Sequence, residues 1–506
     1  MDHFLSGTRD ARTLLRQALN VDCSCGDIIC GIAMDSRRVE PDDLFVAIPC
    51  QQVQEHLQEA RARGAKLLVC EKSSIPEFLL SEWGSSLVFV EESRLAAAKL
   101  CATFYGPPPP LRLAVTGTNG KSSVVTWVRQ MIALAGHKGA SMGTLGVVVA
   151  GKDPQQMCSF SVPELTTYDP VSLHKILHKL VQEGVECVAL EATSHGLVQK
   201  RLDGLSFQAA ALTNITQDHL DYHHTLEAYA HAKMRLFTDL VEPRGTAILN
   251  SASEFIQEFL AACQERHLHV LTTGFSSEDD LCVLNQQLTE EGTVLGLRIL
   301  GRHYRDVLLK PRGSFQVENL LTVLGLCMAA YPSVSTDSWV EFIPQLEDIP
   351  GRMERVAEKD GASIFVDFCH TPDALRRALT DLKALPHRRL FVVFGCGGER
   401  DAAKRPIMGE VASSLADRVF VTDDNPRSED PARIREEICV GNPKLENIPG
   451  REGAIRQAIA ELSKDDILLV AGRGHEAFQK IGGRRIAFHD GTLVQQIVGL
   501  QEAGSI

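Results

Sequence analysis

The chain has 506 residues, 44% hydrophobic and 23% charged, which is the composition of a globular protein and not of a disordered one. Its 52 Lys and Arg against 65 Asp and Glu leave a net charge of −13, which argues against non-specific nucleic-acid binding, a mode that needs a basic surface. No apolar run is long enough to span a bilayer, the start Met1-Asp2-His3-Phe4 lacks the regions of a secretory signal, and the fourteen cysteines (Cys23, Cys25 and Cys30 are the most closely spaced) form no CxxC pair, so the expectation is a cytoplasmic protein with reduced thiols and no membrane association.

At roughly 150 residues per domain the length suggests about three domains. The prolines at 107–110 mark the first boundary, since they favour an extended, semi-rigid connector. Directly after them, residues 111–115 read as a short buried strand and residues 122–134 have helical spacing. Further buried strands are predicted at 187–190, 209–212, 247–249, 363–366, 390–394, 418–421 and 467–470, with helical stretches between several of them. Strands alternating with helices predict an α/β fold with parallel sheets covered on both faces. A second boundary falls near Ile349-Pro350-Gly351, which divides the chain into 1–110, 111–349 and 350–506.

Thr116-Gly117-Thr118-Asn119-Gly120-Lys121-Ser122 links the predicted strand at 111–115 to the helix that follows. Its glycines let the backbone curl so that N–H groups face an anion, and the helix N-terminus adds positive potential. Lys121 is placed to reach the terminal phosphates and the Ser122 hydroxyl to touch Mg²⁺. The general motif has one more Gly, where this chain has Val115, so the loop is a GxxGKS variant.

Two polar clusters follow predicted strands. Glu191-Ala192-Thr193-Ser194-His195-Gly196 comes after the first, and Thr213-Asn214-Ile215-Thr216-Gln217-Asp218-His219-Leu220-Asp221 after the second. The carboxyl ends of parallel strands are where open α/β sheets bind ligands. Glu191 offers a hard oxygen suited to Mg²⁺, and His219 suits a metal or a phosphate. Lys233 lies in a predicted helix over 226–237, where, on residue chemistry alone, it reads as a solvated lysine.

These segments occur in order with Gly351-Arg352-Met353-Glu354 and Asp367-Phe368-Cys369-His370-Thr371-Pro372-Asp373, and the set resembles the Mur ligases, which build the peptide stem of peptidoglycan. Asp35-Ser36-Arg37, Leu44-Phe45-Val46-Ala47 and Ala471-Gly472-Arg473-Gly474-His475-Glu476 extend the resemblance over nearly the whole chain. They point to the branch that adds the third amino acid to UDP-N-acetylmuramoyl-L-alanyl-D-glutamate. The fold this implies is three α/β domains: a UDP-sugar domain, a central ATPase domain with a P-loop-like parallel sheet, and a C-terminal Rossmann-like domain.

The resemblance also implies a reaction. ATP phosphorylates the terminal carboxylate of D-glutamate, the incoming amine attacks the acyl phosphate, and phosphate leaves. Lys121, Ser122, Glu191, His219 and Mg²⁺ fit a chemistry that needs positioning and charge neutralisation. By resemblance Lys233 carries a CO₂-derived carbamate, and with Ser122, Glu191 and His219 it would hold metal. Asn319, Arg352 and Asp367, with the Thr116–Ser122 loop, match positions that hold ATP. Ser36, Gln51, Gln52 and Val53 match the uridine-diphosphate end; Thr166, Thr167, Thr193, Gln199 and Arg201 match the sugar-peptide end. The implied partners are small molecules, and the implied state is a monomer.

Asp424-Asn425-Pro426-Arg427 matches the family pattern for meso-diaminopimelate selection. Diaminopimelate differs from lysine by a second carboxylate at its far end, which a planar guanidinium pairs bidentately. Arg427 would take it with help from Arg400, while Asp424 and Glu476 receive ammonium and Pro426 fixes the loop; by resemblance Gly472 joins the diaminopimelate set. The chain departs from the commoner pattern at Cys50 and Gln52, at Tyr168, at Phe368-Cys369 and at Arg473, none of which removes a reacting group. Two alternatives stay open: a sister amide ligase that adds lysine or glutamate, and a nucleotide-binding protein without catalysis.

Overall fold

The computed structural model describes residues 8–23, 26–74, 83–151, 165–289 and 291–503; Met1–Phe4 and Cys25, named above, lie outside the described residues. Three sheets organise the chain: a four-stranded one, a ten-stranded one and a six-stranded one. The first is parallel and runs Gly31–Ala33, Asp43–Val46, Leu67–Glu71, Leu87–Val90. The second places Leu111–Thr116 between Phe207–Leu212 and Cys187–Glu191. The third runs Glu354–Lys359, Ala362–Asp367, Ile467–Ala471, Leu390–Phe394, Arg418–Val421, Leu445–Asn447.

Each sheet is buried on both faces, which is why its strands read as continuous apolar runs. Neighbouring residues of a strand point to opposite faces. Leu113 and Val115 therefore enter one core while Ala114 enters another. Leu390, Val392 and Phe394 likewise separate from Phe391 and Val393, and Leu44 and Val46 from Phe45 and Ala47. The helices Lys121–Leu134 and Ser314–Ala330 cover one face of the large sheet, where Trp127 is fully buried and its indole N–H donates to the Glu347 carbonyl at 3.1 Å.

The expectation of parallel sheets needs correction at the edges. Leu281–Leu288, Thr293–Ile299 and Arg302–Leu309 form an antiparallel meander on one side of the ten-stranded sheet, and Gly146–Val149 pairs antiparallel on the other. Glu354–Lys359 also joins its sheet antiparallel. At the sheet's outer edge, Arg302–Leu309 carries exposed Arg302, His303, Arg305 and Asp306, and so lacks the apolar continuity that marks the central strands. The predicted helix over 226–237 ends as α-helix at Arg235 and widens into a π-type turn over Leu236–Leu240. The proline segment is tied down, because Arg112 donates to the carbonyls of Pro109 and Pro110 at 2.8 and 2.9 Å. Among the described residues no helix is long and apolar enough to cross a membrane, and the described cysteines are free thiols.

Helix Pro170–Gln182 packs against helix Ser93–Tyr105 and buries His174, whose Nε2 has no hydrogen-bond partner among the described residues. Burial pulls this imidazole down from 6.5 to about 4. The unfolded chain therefore takes up the proton first as pH falls, so the stability is complete above the unfolded value and is lost towards the folded one. Between pH 7 and pH 5 the loss is about 2 kcal/mol. Urea midpoints at the two pH values, for the wild type and His174→Leu, check this. The wild type should lose about 2 kcal/mol more than the variant, and an equal loss in both would refute it.

Candidate functional site

The ends of three adjacent strands build the centre. Leu111–Thr116 delivers the phosphate loop, Cys187–Glu191 ends in Glu191, and Phe207–Leu212 leads into the Thr213–His219 segment. Leu111–Thr116 is also where the strand order reverses, since the chain continues to Gly139–Gly143 on one side and later returns on the other, and crevices form at such points.

Two loop glycines are required by space as well as by conformation. Gly117, at φ 140°, would place a Cβ 1.9 Å from the Thr213 hydroxyl, and Gly120, at φ 88°, would place one 2.3 Å from Asn319 Oδ1. The Thr213–Thr216 segment braces the loop from below. Thr118 N donates to the Asn214 carbonyl at 2.8 Å, Asn119 N to Asn214 Oδ1 at 2.9 Å, and the Thr213 hydroxyl to the Asn119 carbonyl at 2.6 Å. The Thr118 hydroxyl donates to the Thr216 carbonyl and accepts from Tyr229 at 3.2 Å.

Lys233 belongs to this assembly and not to solvent. It is 1% exposed, its Nζ donates to the Gly117 carbonyl at 2.8 Å and lies 4.3 Å from the centre of the Tyr229 ring. Lys121 Nζ donates to the same carbonyl at 2.9 Å and to that of Thr118 at 2.8 Å. Burial, and then the charge of Lys121, push the Lys233 pKa well below the ordinary lysine range. The reading of Lys233 from residue chemistry alone, as a solvated helix lysine, is thereby overturned.

Glu191 is 2% exposed, and its two oxygens are oriented by Thr144, through the backbone N–H at 2.8 Å and the hydroxyl at 3.2 Å. The sugar-peptide candidates gather beside it. Thr166 and Thr144 hydroxyls are 3.1 Å apart, Thr167 Oγ1 donates to the Glu191 carbonyl at 2.8 Å, and Thr193 Oγ1 donates to Thr167 Oγ1 at 2.9 Å. Arg201 is held by Gln199 Oε1 and by the Thr167 carbonyl. His219 sits in the left-handed region and contacts Asp218 through Nε2 at 3.5 Å. Burial lowers the pKa of its ring, against the opposing pull of the Asp218 charge.

A cleft opens over the loop, lined by Asn119, Gly120, Asn319, Arg352, Asp367 and Arg377. Arg352 crosses it: its Nη2 donates to Ser122 Oγ at 2.9 Å and its guanidinium lies 4.6 Å from the Phe368 ring centre. Asp367 accepts from Met353 N at 2.7 Å, which ties the strand end to the turn that carries Arg352. The ATP candidates therefore converge, although they come from two different sheets.

The remaining candidates lie at the ends of the six-stranded sheet. Asp424 and Asn425 are buried, Asn425 Nδ2 donates to Glu476 Oε2 at 2.7 Å, and a Cβ on Gly472 would meet Asp424 Oδ2 at 2.8 Å. Arg427, at φ 52°, donates to the Gly398 carbonyl. Burial, and next the charge of exposed Arg400, lower its pKa. In the first sheet's neighbourhood, the Ser36 hydroxyl is engaged by Glu59 Oε2 at 2.7 Å, while Gln51 and Gln52 are exposed ahead of the helix Val53–Ala62. Sequence reasoning missed Thr144, which has no motif of its own, and it passed over Thr213 and Asn214 although their segment was recognised.

Family models match two stretches: the Mur ligase middle domain at residues 115–327 and the Mur ligase glutamate ligase domain at residues 351–474. The chain is 39% identical over 480 residues to UDP-N-acetylmuramoyl-L-alanyl-D-glutamate--2,6-diaminopimelate ligase of Rickettsia conorii, covering 92% of this chain and 95% of that one. It is 41% identical over 470 residues to the ligase of the same name from Caulobacter vibrioides, covering 92% and 94%. A solved structure of a ligase of that name superposes with a TM-score of 0.67 at 29% identity, over 96% of this chain and 99% of the other.

Proposed function

From the premise that the chain belongs to the Mur ligase family, we propose that it joins meso-2,6-diaminopimelate to UDP-N-acetylmuramoyl-L-alanyl-D-glutamate at the expense of ATP, a step of peptidoglycan precursor synthesis. The observation that carries the reading is Arg352 reaching Ser122 at 2.9 Å, which closes a second cation over a phosphate loop already served by Lys121. That is the charge arrangement phosphoryl transfer requires.

In this reading residues 1–110 hold the uridine diphosphate end, 111–349 the nucleotide and 350–506 the incoming amino acid. The terminal carboxylate of D-glutamate takes the γ-phosphoryl group of ATP, releasing ADP. The amine of diaminopimelate then attacks the acyl carbon, and the tetrahedral intermediate expels phosphate. Lys121 and the loop N–H groups hold the phosphates, and Arg352 neutralises charge that develops on the transferred group. Thr144, Thr166, Thr167 and Thr193 orient the peptide end next to Glu191. Arg427 pairs the far carboxylate, and Asp424 and Glu476 receive the far ammonium.

Among the described residues no three His, Cys, Asp or Glu side chains are grouped to hold a metal unaided. Mg²⁺ takes few protein ligands and keeps its waters, so Glu191, Ser122 and His219 suit it once one more anionic oxygen is present. A buried Lys233 whose pKa is pushed down can supply that oxygen, because it is the uncharged amine that adds to CO₂ and the resulting carbamate is carboxylate-like. Mg²⁺ would neutralise charge on the phosphates.

The test is phosphate release from Mg·ATP with the UDP-sugar dipeptide, comparing meso-diaminopimelate with L-lysine. Release should occur only when nucleotide, dipeptide and diaminopimelate are all present. Equal release with lysine would overturn the amino-acid assignment, and none with either would overturn the ligase.

A further inference from the structure

Asp424-Asn425-Pro426-Arg427 is splinted along its length by the hairpin Phe478–Ile481 and Arg484–Ala487. Arg427 N donates to the Lys480 carbonyl at 3.0 Å, Gly482 N donates to the Arg427 carbonyl at 2.6 Å, and Arg427 pairs with Ile481 as a parallel bridge. Lys480 N donates to Asn425 Oδ1 at 2.9 Å. Gln479, 6% exposed, sends its side-chain amide to the Asp424 carbonyl at 2.5 Å.

This bonding has a purpose that Arg427's own conformation reveals. A non-glycine residue stays at positive φ only where its surroundings over-determine it, and here the hairpin takes both backbone polar groups of Arg427. A long, flexible side chain aims accurately only from a fixed backbone. The hairpin, through Lys480, Arg484 and Arg485, also walls a cleft beside Arg427 that Glu399 and Ser428 line from the other side. It is therefore both the splint behind the Asp424–Arg427 segment and one side of the space that Arg427 faces.

We infer that Gln479 is a positioning residue for amino-acid selection: through the Asp424 carbonyl it locks the hairpin to the backbone from which Arg427 meets the far carboxylate. This rests on the reading of Arg427 given above. A neutral amide suits the task, since it donates to a buried carbonyl without adding charge between Asp424 and Glu476.

Gln479→Met keeps the length and removes the donor. The KM for meso-diaminopimelate should rise about fivefold to tenfold, the worth of one buried hydrogen bond, while kcat and the KM for ATP hold. The slow rate with L-lysine, which has no far carboxylate, should not change. Gly483→Val, at φ 75° in the hairpin turn, should give the same signature and serves if the first variant does not fold. A selective wild type with both variants retaining its KM for diaminopimelate, whatever their melting temperatures, would overturn the inference alone. A wild type with no preference for diaminopimelate over lysine would overturn the Arg427 reading, and the inference with it.

Discussion

Lys233→Ala should lower turnover by about a thousandfold or more, with the folded state and nucleotide affinity largely kept. The side chain is buried against the phosphate loop and has one described hydrogen bond, to the Gly117 carbonyl, so the truncation removes chemistry more than architecture. If the amine works as a carbamate, a small diffusible carboxylate should replace it. Acetate or formate at high concentration is then expected to restore a measurable part of the rate in Lys233→Ala and nothing in Lys233→Arg, where the guanidinium fills the space. Steady-state phosphate release with and without acetate decides this, and full activity in the unrescued alanine variant would end the ligand role.

Arg427→Ala should raise the KM for meso-diaminopimelate by about a hundredfold, the usual scale for truncating one partner of a buried charge pair. The rate with L-lysine should stay where it is or rise, because the penalty on lysine is the unpaired guanidinium that the substitution removes. The measurement is the ratio of kcat/KM for the two amino acids before and after substitution. An unchanged ratio would place the recognition of the far carboxylate elsewhere, with Arg400 the next residue to test.

The predicted strands that match end to end, Leu390–Phe394 and Arg418–Val421, lie inside a sheet with apolar cover on both faces, and that double burial writes a continuous apolar run. Arg302–Leu309 has Arg302, His303, Arg305 and Asp306 on an open edge, and pairing partners rather than its own residues make it a strand. The site divides in the same way. Lys121 and Glu191 were legible because strand ends and a loop spacing announce them. Lys233 was legible only through the family pattern, since its burial depends on the Gly117 carbonyl contributed from 116 residues away. Thr144's hold on Glu191 and Gln479's hold on Asp424 are likewise long-range contacts, and short-range periodicity carries no trace of them.

The turn that carries Arg352 and the loop that carries Glu476 meet backbone to backbone. A Cβ on Gly351 would fall 2.3 Å from His475 N, and one on Gly474 would fall 2.8 Å from the Gly351 carbonyl; both residues have positive φ. With no side chain between them, the two segments approach at backbone distance. Arg352 and Glu476, to which the far ammonium is assigned, therefore sit on two segments joined by one close backbone contact. In the proposed function, a movement of Arg352 toward the nucleotide would be passed through this contact to the proposed amino-acid seat.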